Sequence, residues 1–171
     1  MKEITIRKAV SSDFAAVLEM SEGIYNGHDY FPCFFHQWLT KPNRTIFVAQ
    51  YGEKLVGLRA IHIVDGGETF ISQGLRIHPR FRGLGLSTRL IDAIHKHIRQ
   101  EYPKVCRERF TTKSDNIERL SIQKKYGDTA LFERDILAFY VNRETLKPHH
   151  LEAVAGTFDL KVKACSRLFL Y

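Results

Sequence analysis

Apolar residues recur along the chain with two different spacings. Ile4 and Ile6 alternate with polar residues, which is typical of a strand with one buried face. Three longer runs, 45–51, 54–64 and 68–77, predict strands because they are rich in β-branched and aromatic residues and are separated by short glycine-containing turns. The middle of the chain is therefore predicted to be an antiparallel meander.

Spacings of three and four residues predict helices on both sides of this meander. A first helix is expected after residues 11–13, whose Ser and Asp side chains can cap its backbone N–H groups. A second, aromatic-rich helix is expected after the loop 23–32 and should end by Pro42. The third has an apolar stripe at helical spacing, formed by Leu86, Leu90, Ile91, Ile94 and Ile98.

The C-terminal third continues the alternation of strands and helices. A strand is predicted over 104–112, a helix over 116–126 closed by Gly127, and a strand over 130–141. The last residues, 159–171, alternate weakly, which fits either an added strand or the start of a further region. This order of elements predicts a mixed α/β fold with a mostly antiparallel central sheet flanked by helices.

Composition supports a single folded domain. The chain has 171 residues, of which 44% are apolar and 26% charged, as in ordinary globular proteins. We expect one domain over 1–145 and a C-terminal extension over 146–171. There is no apolar run of membrane-spanning length and no apolar block typical of a signal peptide, so we expect a cytoplasmic protein.

Positive charge is concentrated in one stretch. The chain carries 26 Lys and Arg against 19 Asp and Glu, and residues 76–125 alone contain thirteen against five. Such a stretch favours an anionic partner, for example a phosphorylated ligand, nucleic acid or anionic lipid. The three cysteines are widely spaced and form no Cys-x-x-Cys pair, which disfavours disulfides and a zinc site, and we predict no metal site.

A glycine-containing turn, residues 82–87, joins the third meander strand to the longest predicted helix. Gly83 and Gly85 can adopt positive φ, and the free N–H groups of a helix start can bind phosphate. Arg82 adds charge and Ser87 a hydroxyl. The two glycines alone also fit a simple turn, but a P-loop and a dinucleotide-binding motif are excluded by the missing Gly-Lys-Ser/Thr and third glycine.

The run Arg80–Gly85 has the pattern Arg/Gln-x-x-Gly-x-Gly/Ala, which resembles the acyl-CoA signature of the GCN5-related N-acetyltransferase (GNAT) superfamily. The predicted element order is similar to that fold over nearly the whole chain. The resemblance implies acetyl-CoA as cofactor, and it implies cofactor contacts from Leu75, Ile77, Arg82, Gly83, Leu84, Gly85, Leu86, Ser87 and Asn116. For Asn116, a helix N-cap is an equally good interpretation.

Residues 23–32, Gly-Ile-Tyr-Asn-Gly-His-Asp-Tyr-Phe-Pro, are similar to the acceptor-side segment of the vertebrate histidine N-acetyltransferases and their mammalian relatives. Residues 65–69 and 74–76 look like the same family. The resemblance implies acetyl transfer to the amine of a small molecule, with the α-amino group of L-histidine or a related amino acid as the leading candidate. In that family acidic residues tend to occupy the positions of Arg59 and Gln73.

Acetyl transfer to an amino acid requires a proton acceptor and groups that bind the amino acid. An α-amine has a pKa of about 8, so a base or water must remove its proton before it attacks a thioester. Candidate catalytic residues are Glu68, Tyr30 and Asp29, and candidate substrate-binding residues are Tyr25, His28, Gln73 and Arg76. Glu68 also fits a hairpin-end residue. The carboxylate of an amino acid would need a cation, for which Arg76, Arg59 and Arg44 are available.

Other functions stay open at this stage. The same fold acetylates other amines, such as a polyamine, a protein N-terminus or a lysine. A non-catalytic acyl-CoA-binding module is a second alternative, and nucleic-acid binding through the basic stretch is a third, although no known nucleic-acid motif supports it. We predict an enzyme with a small-molecule amine substrate, without nucleic-acid or membrane partners, and leave open a homodimer.

Overall fold

A computed structural model of the protein describes residues 4–27, 29–113, 116, 117, 119–121, 127–138 and 158–168. Two compact units are found, one comprising Met1–Arg109 with Leu168–Tyr171 and the other Phe110–Arg167. Among the helices of the described residues, none is both long and apolar enough to cross a membrane. These residues also contain no cluster of three or more His, Cys, Asp or Glu side chains suited to a metal ion.

The first unit is built on the predicted meander. Its strands are β1 (Ile4–Lys8), β2 (Arg44–Tyr51), β3 (Lys54–Val64) and β4 (Thr69–Ile77), and it includes the first three residues of β5 (Arg107–Lys113). Each of the pairs β1–β2, β2–β3 and β3–β4 is antiparallel, which confirms the predicted hairpins. Its α-helices are α1 (Phe14–Ser21), α2 (Phe31–Thr40) and α3 (Leu86–Glu101).

Both faces of the sheet are covered. The apolar stripe of α3 packs with Phe47, Ile61 and Phe70 on one face. On the other face, α1 and α2 bury a second cluster whose largest members are Met20, Phe31, Phe35, Ile46 and Leu58. Because β3 lies between these two layers, its residues from Leu55 to Ile61 are all buried, and full burial of each large apolar side chain contributes about 1.5–3 kcal/mol.

A β-bulge interrupts β4 close to its end. Leu58 pairs with Arg76 and Ala60 with Gln73, so one residue of β3 lies opposite two residues of β4. Gly74, one of those two, has φ +64°, and a Cβ added there would lie 2.3 Å from Cδ2 of Phe31. Phe70 packs towards α3 before the bulge, and Leu75 and Ile77 do so after it. The bulge therefore shifts the alternation of the strand by one residue.

The cap of α1 and the start of α2 differ from their sequence predictions. Residues Ser11–Asp13 form a 3-10 turn, and Asp13 makes no side-chain cap to α1. Its carboxylate instead accepts hydrogen bonds from the Val10 N–H and from Arg7, each at 2.8 Å. Asp13 therefore fixes the chain where it leaves β1. α2 begins at Phe31, so Pro32 lies in its first turn, where a missing N–H costs no helical hydrogen bond.

The second unit contains the end of β5 and an antiparallel pair formed by β6 (Thr129–Ala138) and β7 (Phe158–Leu168). Residues 159–168 of the weakly alternating tail are thus part of a strand, and 169–171 lie outside the described residues. Of the predicted helix over 116–126, residues 117 and 119–121 are helical, and the others after Asn116 lie outside the described residues. The predicted boundary between 145 and 146 also lies outside them and stays a prediction.

Candidate active site

The turn from β4 into α3 has the geometry of an anion-binding helix start. After a 3-10 turn over Pro79–Phe81, Gly83 and Gly85 have φ of +76° and +71°, and Gly85 is the residue before the first turn of α3. No atom lies within 4 Å of a Cβ added at either glycine, so the positive φ explains why glycine is needed there. Both glycines therefore border open space.

Charge at this turn is favourable for an anion. The first N–H groups of α3 have no intrahelical partners and its dipole is positive at this end, while the first turn contains no acidic residue. The Arg82 Nε donates to the Ile77 carbonyl at 3.3 Å, which holds the guanidinium beside the end of β4. Residues 82–85 are exposed and Ser87 is half-buried, so they form an accessible turn. The side chain of Leu86, also predicted to bind the cofactor, is instead buried with the apolar stripe of α3.

His78 anchors this turn to the sheet. Its Nδ1 accepts a hydrogen bond from the Arg80 N–H at 3.2 Å, so the neutral ring carries its proton on Nε2, which lies 3.0 Å from a Glu19 carboxylate oxygen. The His78 N–H also donates to the Val56 carbonyl at 2.9 Å. Both ring nitrogens are thereby used to fix the start of the glycine turn.

Asp29 and Arg76 form a buried two-pronged ion pair on the α2 face of the sheet. Arg76 Nε lies 3.0 Å from one Asp29 oxygen, and Nη2 lies 2.7 Å from the other. Asp29 also accepts a hydrogen bond from the Phe31 N–H at the start of α2. Burial alone would raise the pKa of Asp29, but the hydrogen bonds and charge of Arg76 outweigh it and lower the pKa. Asp29 is therefore ionised and a weak base.

Two tyrosines of the predicted acceptor segment flank this ion pair. The guanidinium carbon of Arg76 lies 5.6 Å from the ring centroids of both Tyr25 and Tyr30. Burial raises the pKa of Tyr30, so its hydroxyl keeps its proton at neutral pH. Tyr25 adopts φ +52°, an unusual backbone conformation for a residue with a side chain. The predicted substrate-binding residue His28 lies outside the described residues.

Gln73 belongs to a second polar cluster on the same face. Arg44 Nη1 donates to Gln73 Oε1 at 2.8 Å, and Nη2 lies 3.2 Å from His62 Nδ1. The guanidinium carbon stacks 4.5 Å from the ring centroid of Trp38 in α2. Burial lowers the pKa of Arg44, and burial together with the Arg44 charge lowers the pKa of His62. His62 is therefore neutral at pH 7.

Arg59 lies on the opposite face, beneath α3. Its guanidinium pairs with Glu108 and donates to Ser72 Oγ at 2.5 Å, and Ser72 in turn donates to Glu108 at 2.6 Å. His95 of α3 lies 3.0 Å from the other Glu108 oxygen. This network was not predicted from the sequence. The signal available there is the two-residue period of β5, in which Glu108 falls in phase with Phe110.

Glu68 is separated from these groups. It is exposed, pairs with Arg107 at 2.7 Å, and precedes β4 at the hairpin end. Glu68 lies nine positions before Ile77 and five before Gln73, about 30 Å and 16 Å at the usual rise of an extended strand. Asn116 lies in the second unit, where its Oδ1 accepts a hydrogen bond from the Arg119 N–H at 3.1 Å as a helix N-cap does. The structure thus brings together Asp29, Tyr25, Tyr30, Gln73 and Arg76, but not Glu68.

Comparison with known proteins identifies the family. The model of the Acetyltransferase (GNAT) family matches residues 11–123. The histidine N-acetyltransferase of Oreochromis niloticus is 32% identical over 143 residues, which cover 82% of this chain and 41% of that protein. The chain spans less than half the length of the curated relatives it matches.

Solved structures share the fold at low sequence identity. The ribosomal-protein-S18-alanine N-acetyltransferase of Escherichia coli has a TM-score of 0.75 at 10% identity, covering 99% of this chain and 96% of that one. The Salmonella typhimurium protein yncA, solved with its cofactor acetyl-CoA, has a TM-score of 0.67 at 16% identity, covering 98% and 94%. Together with the family match, these likenesses confirm the resemblance seen at Arg80–Gly85. The chain belongs to the GNAT family of acetyltransferases.

Proposed function

We propose that the protein is an acetyl-CoA-dependent N-acetyltransferase that acts on the α-amino group of a free amino acid, with L-histidine as the leading candidate. The main support for the proposal is the path of β4 between its bulge and the glycine turn. The strand ends in the glycine turn 82–87, and just before that end its bulge brings Gln73 and Arg76 onto the face covered by α2. A phosphate-binding turn and a polar acceptor face are thus joined by one strand.

The residues of the turn suit the phosphates of coenzyme A. The two glycines leave open space, the helix start offers N–H groups, and Arg82 adds positive charge. In this proposal residues 82–87 hold the phosphates, and the backbone of Leu75 and Ile77 pairs with the pantetheine arm. Acetyl-CoA supplies an acetyl group activated as a thioester. A part for Asn116 in cofactor binding stays a prediction.

The acceptor amine must reach the acetyl group uncharged. A peptide α-amine has a pKa of about 8, and the carboxylate beside the α-amine of a free amino acid raises that pKa further. Less than about a tenth of the acceptor is therefore neutral at pH 7, and a base or water must remove the proton. Asp29 is a poor base because its pKa is lowered, so we assign it to positioning Arg76. Tyr30 keeps its proton and can donate it, or a hydrogen bond, to charge that develops during transfer.

The first experiment separates cofactor binding from turnover. Thiol release from acetyl-CoA is followed with L-histidine, other amino acids, polyamines and short peptides as acceptors, and acetyl-CoA binding is measured separately by titration. We expect release with L-histidine or another amino acid. Release with polyamines or peptides alone would contradict the proposed acceptor, and binding without any release would favour the non-catalytic module.

Gly85→Ala tests the cofactor site, and Gly66→Ala is its matched control. Both glycines have positive φ, +71° and +66°, and open space at Cβ, so alanine should cost each about 1–2 kcal/mol of stability. Gly66 lies in the β3–β4 turn. We expect only Gly85→Ala to raise the Kd for acetyl-CoA, by about tenfold. Equal Kd values for both variants would refute phosphate binding at this turn.

A further inference from the structure

Three arginines were available from sequence to hold an acceptor carboxylate, and the structure distinguishes them. Arg76 already forms a two-pronged ion pair with Asp29, and Arg59 is paired with Glu108 in a buried network. Arg44 is half-buried between β2 and α2. Within the described ranges, no Asp or Glu oxygen lies within ion-pair distance of Arg44, so its charge has no opposite partner there.

The neighbours of Arg44 offer hydrogen-bond donors. A guanidinium can only donate, so His62 Nδ1, 3.2 Å from Arg44, must accept, and the proton of the neutral ring is on Nε2. Gln73 Oε1 also accepts from Arg44, which leaves the Gln73 amide with its NH₂ donors. Arg44 has further N–H groups beyond these two bonds. A cluster that carries one positive charge and surplus donors suits an anion with two acceptor oxygens.

The cluster is continuous with the groups assigned to the acceptor. Gln73 directly precedes the Gly74 bulge of β4. Trp38, against which Arg44 stacks, lies 6.3 Å from the Tyr30 ring between centroids, and Tyr30 in turn flanks Arg76. An anion bound at Arg44 would therefore be part of a molecule lying along the acceptor face.

We propose that Arg44, supported by His62 and Gln73, binds the carboxylate of the acceptor, so that the enzyme selects free amino acids over amines that lack a carboxylate. The proposal rests on the N-acetyltransferase function proposed above. An amino acid combines an amine with an adjacent carboxylate, whereas the same amino acid amide or decarboxylated amine leaves Arg44 unpaired. A polyamine would in addition be repelled by the positive charge of Arg44.

The kinetic test compares an amino acid with its amide. For whichever amino acid supports thiol release, kcat/KM is measured for the acid, its carboxamide and its decarboxylated amine, in wild type and Arg44→Gln. Loss of a charge-assisted hydrogen-bonded contact predicts a fall of about 10- to 100-fold for the acid in Arg44→Gln, and less than about threefold for the amide. Arg44→Lys should restore part of the difference, since it keeps the charge without the planar fork.

A second readout does not depend on turnover. Trp38 is the single tryptophan of the chain and contacts Arg44, so its fluorescence reports binding there. We expect saturable changes on titration with L-histidine and no saturable change with histamine, and we expect Arg44→Gln to abolish the L-histidine response. Arg7→Gln is the control, because it removes an arginine of β1 that pairs with Asp13. It should lower stability but leave intact the preference for the acid over the amide and for L-histidine over histamine.

The outcomes separate this inference from the proposed function. Turnover with equal kcat/KM for acid and amide would overturn the carboxylate site and keep the acetyltransferase. Carboxylate-dependent fluorescence without turnover would support the site and refute the proposed catalysis. Absence of both turnover and a fluorescence response, or an equal fluorescence response to L-histidine and histamine, would overturn the carboxylate site.

Discussion

Replacing Gly74 by alanine tests whether the bulge of β4 depends on close contact with α2. At φ +64° an alanine is strained by about 1–2 kcal/mol, the cost of a left-handed backbone for a residue with a Cβ. The new Cβ would also lie 2.3 Å from Cδ2 of Phe31, a ring that is fully buried and cannot swing aside. Such overpacking adds about 1–3 kcal/mol. We therefore expect Gly74→Ala to lower the free energy of unfolding by about 2–5 kcal/mol.

The control separates the two parts of this cost. Gly66 has a similar φ of +66° with nothing within 4 Å, so Gly66→Ala should cost about 1–2 kcal/mol from backbone strain alone. Urea unfolding gives both values, and the double variant Gly74→Ala/Phe31→Leu should cost less than the sum of its single changes because the smaller side chain relieves the clash. If Gly74→Ala is no more destabilising than Gly66→Ala, the predicted clash with Phe31 does not occur.

Two further predictions concern the carboxylates proposed from sequence. Asp29→Asn should cost about 3–5 kcal/mol, because it leaves the Arg76 guanidinium buried without its counter-charge. The folded state lowers the pKa of Asp29, so the ion pair stabilises wild type fully above the unfolded pKa of about 4, and this stabilisation should be lost as pH falls through the folded pKa. The free energies of unfolding of wild type and Asp29→Asn should therefore converge at low pH. A difference between them that does not change with pH would contradict the ion pair. Glu68→Gln should change kcat/KM by less than about twofold. It should change stability by less than about 1 kcal/mol, because it removes only the exposed ion pair of Glu68 with Arg107. A hundredfold fall in kcat/KM would instead identify Glu68 as the base.

The strands and helices of the first unit were predictable because their signals are local. Alternation in β2, β3 and β4 and the stripe along α3 reflect burial against the nearest layers, so each pattern could be interpreted without knowing its partner. The start of α1 was predicted correctly, but the capping role of Asp13 was not. Asp13 had two uses for its carboxylate, a cap or an ion pair with Arg7, and the choice depends on where β1 brings Arg7.

The electrostatic pairing of the site could not be predicted in the same way. Asp29 and Arg76 are 47 residues apart, and Arg59 and Glu108 are 49 apart, so nothing in the sequence near either arginine indicates its partner. Arg44, Arg59 and Arg76 were equivalent candidates at the level of sequence. Only the tertiary structure assigns two of them to carboxylates of the chain: Arg59 to Glu108 of β5, and Arg76 to Asp29 just before α2.

The bulge at Gly74 decides how these charges are divided between the two faces of the sheet. Without the extra residue, strict alternation would place Arg76 on the same face as Ser72 and Phe70, beneath α3. With it, Arg76 joins Gln73 on the face of α2, while Leu75 and Ile77 continue the apolar contacts with α3. Gln73 is uncharged, and among the residues that the structure describes no carboxylate pairs with Arg44 on that face. One glycine thus connects the strand that leads to the glycine turn 82–87 with the polar face that we propose binds an amino acid.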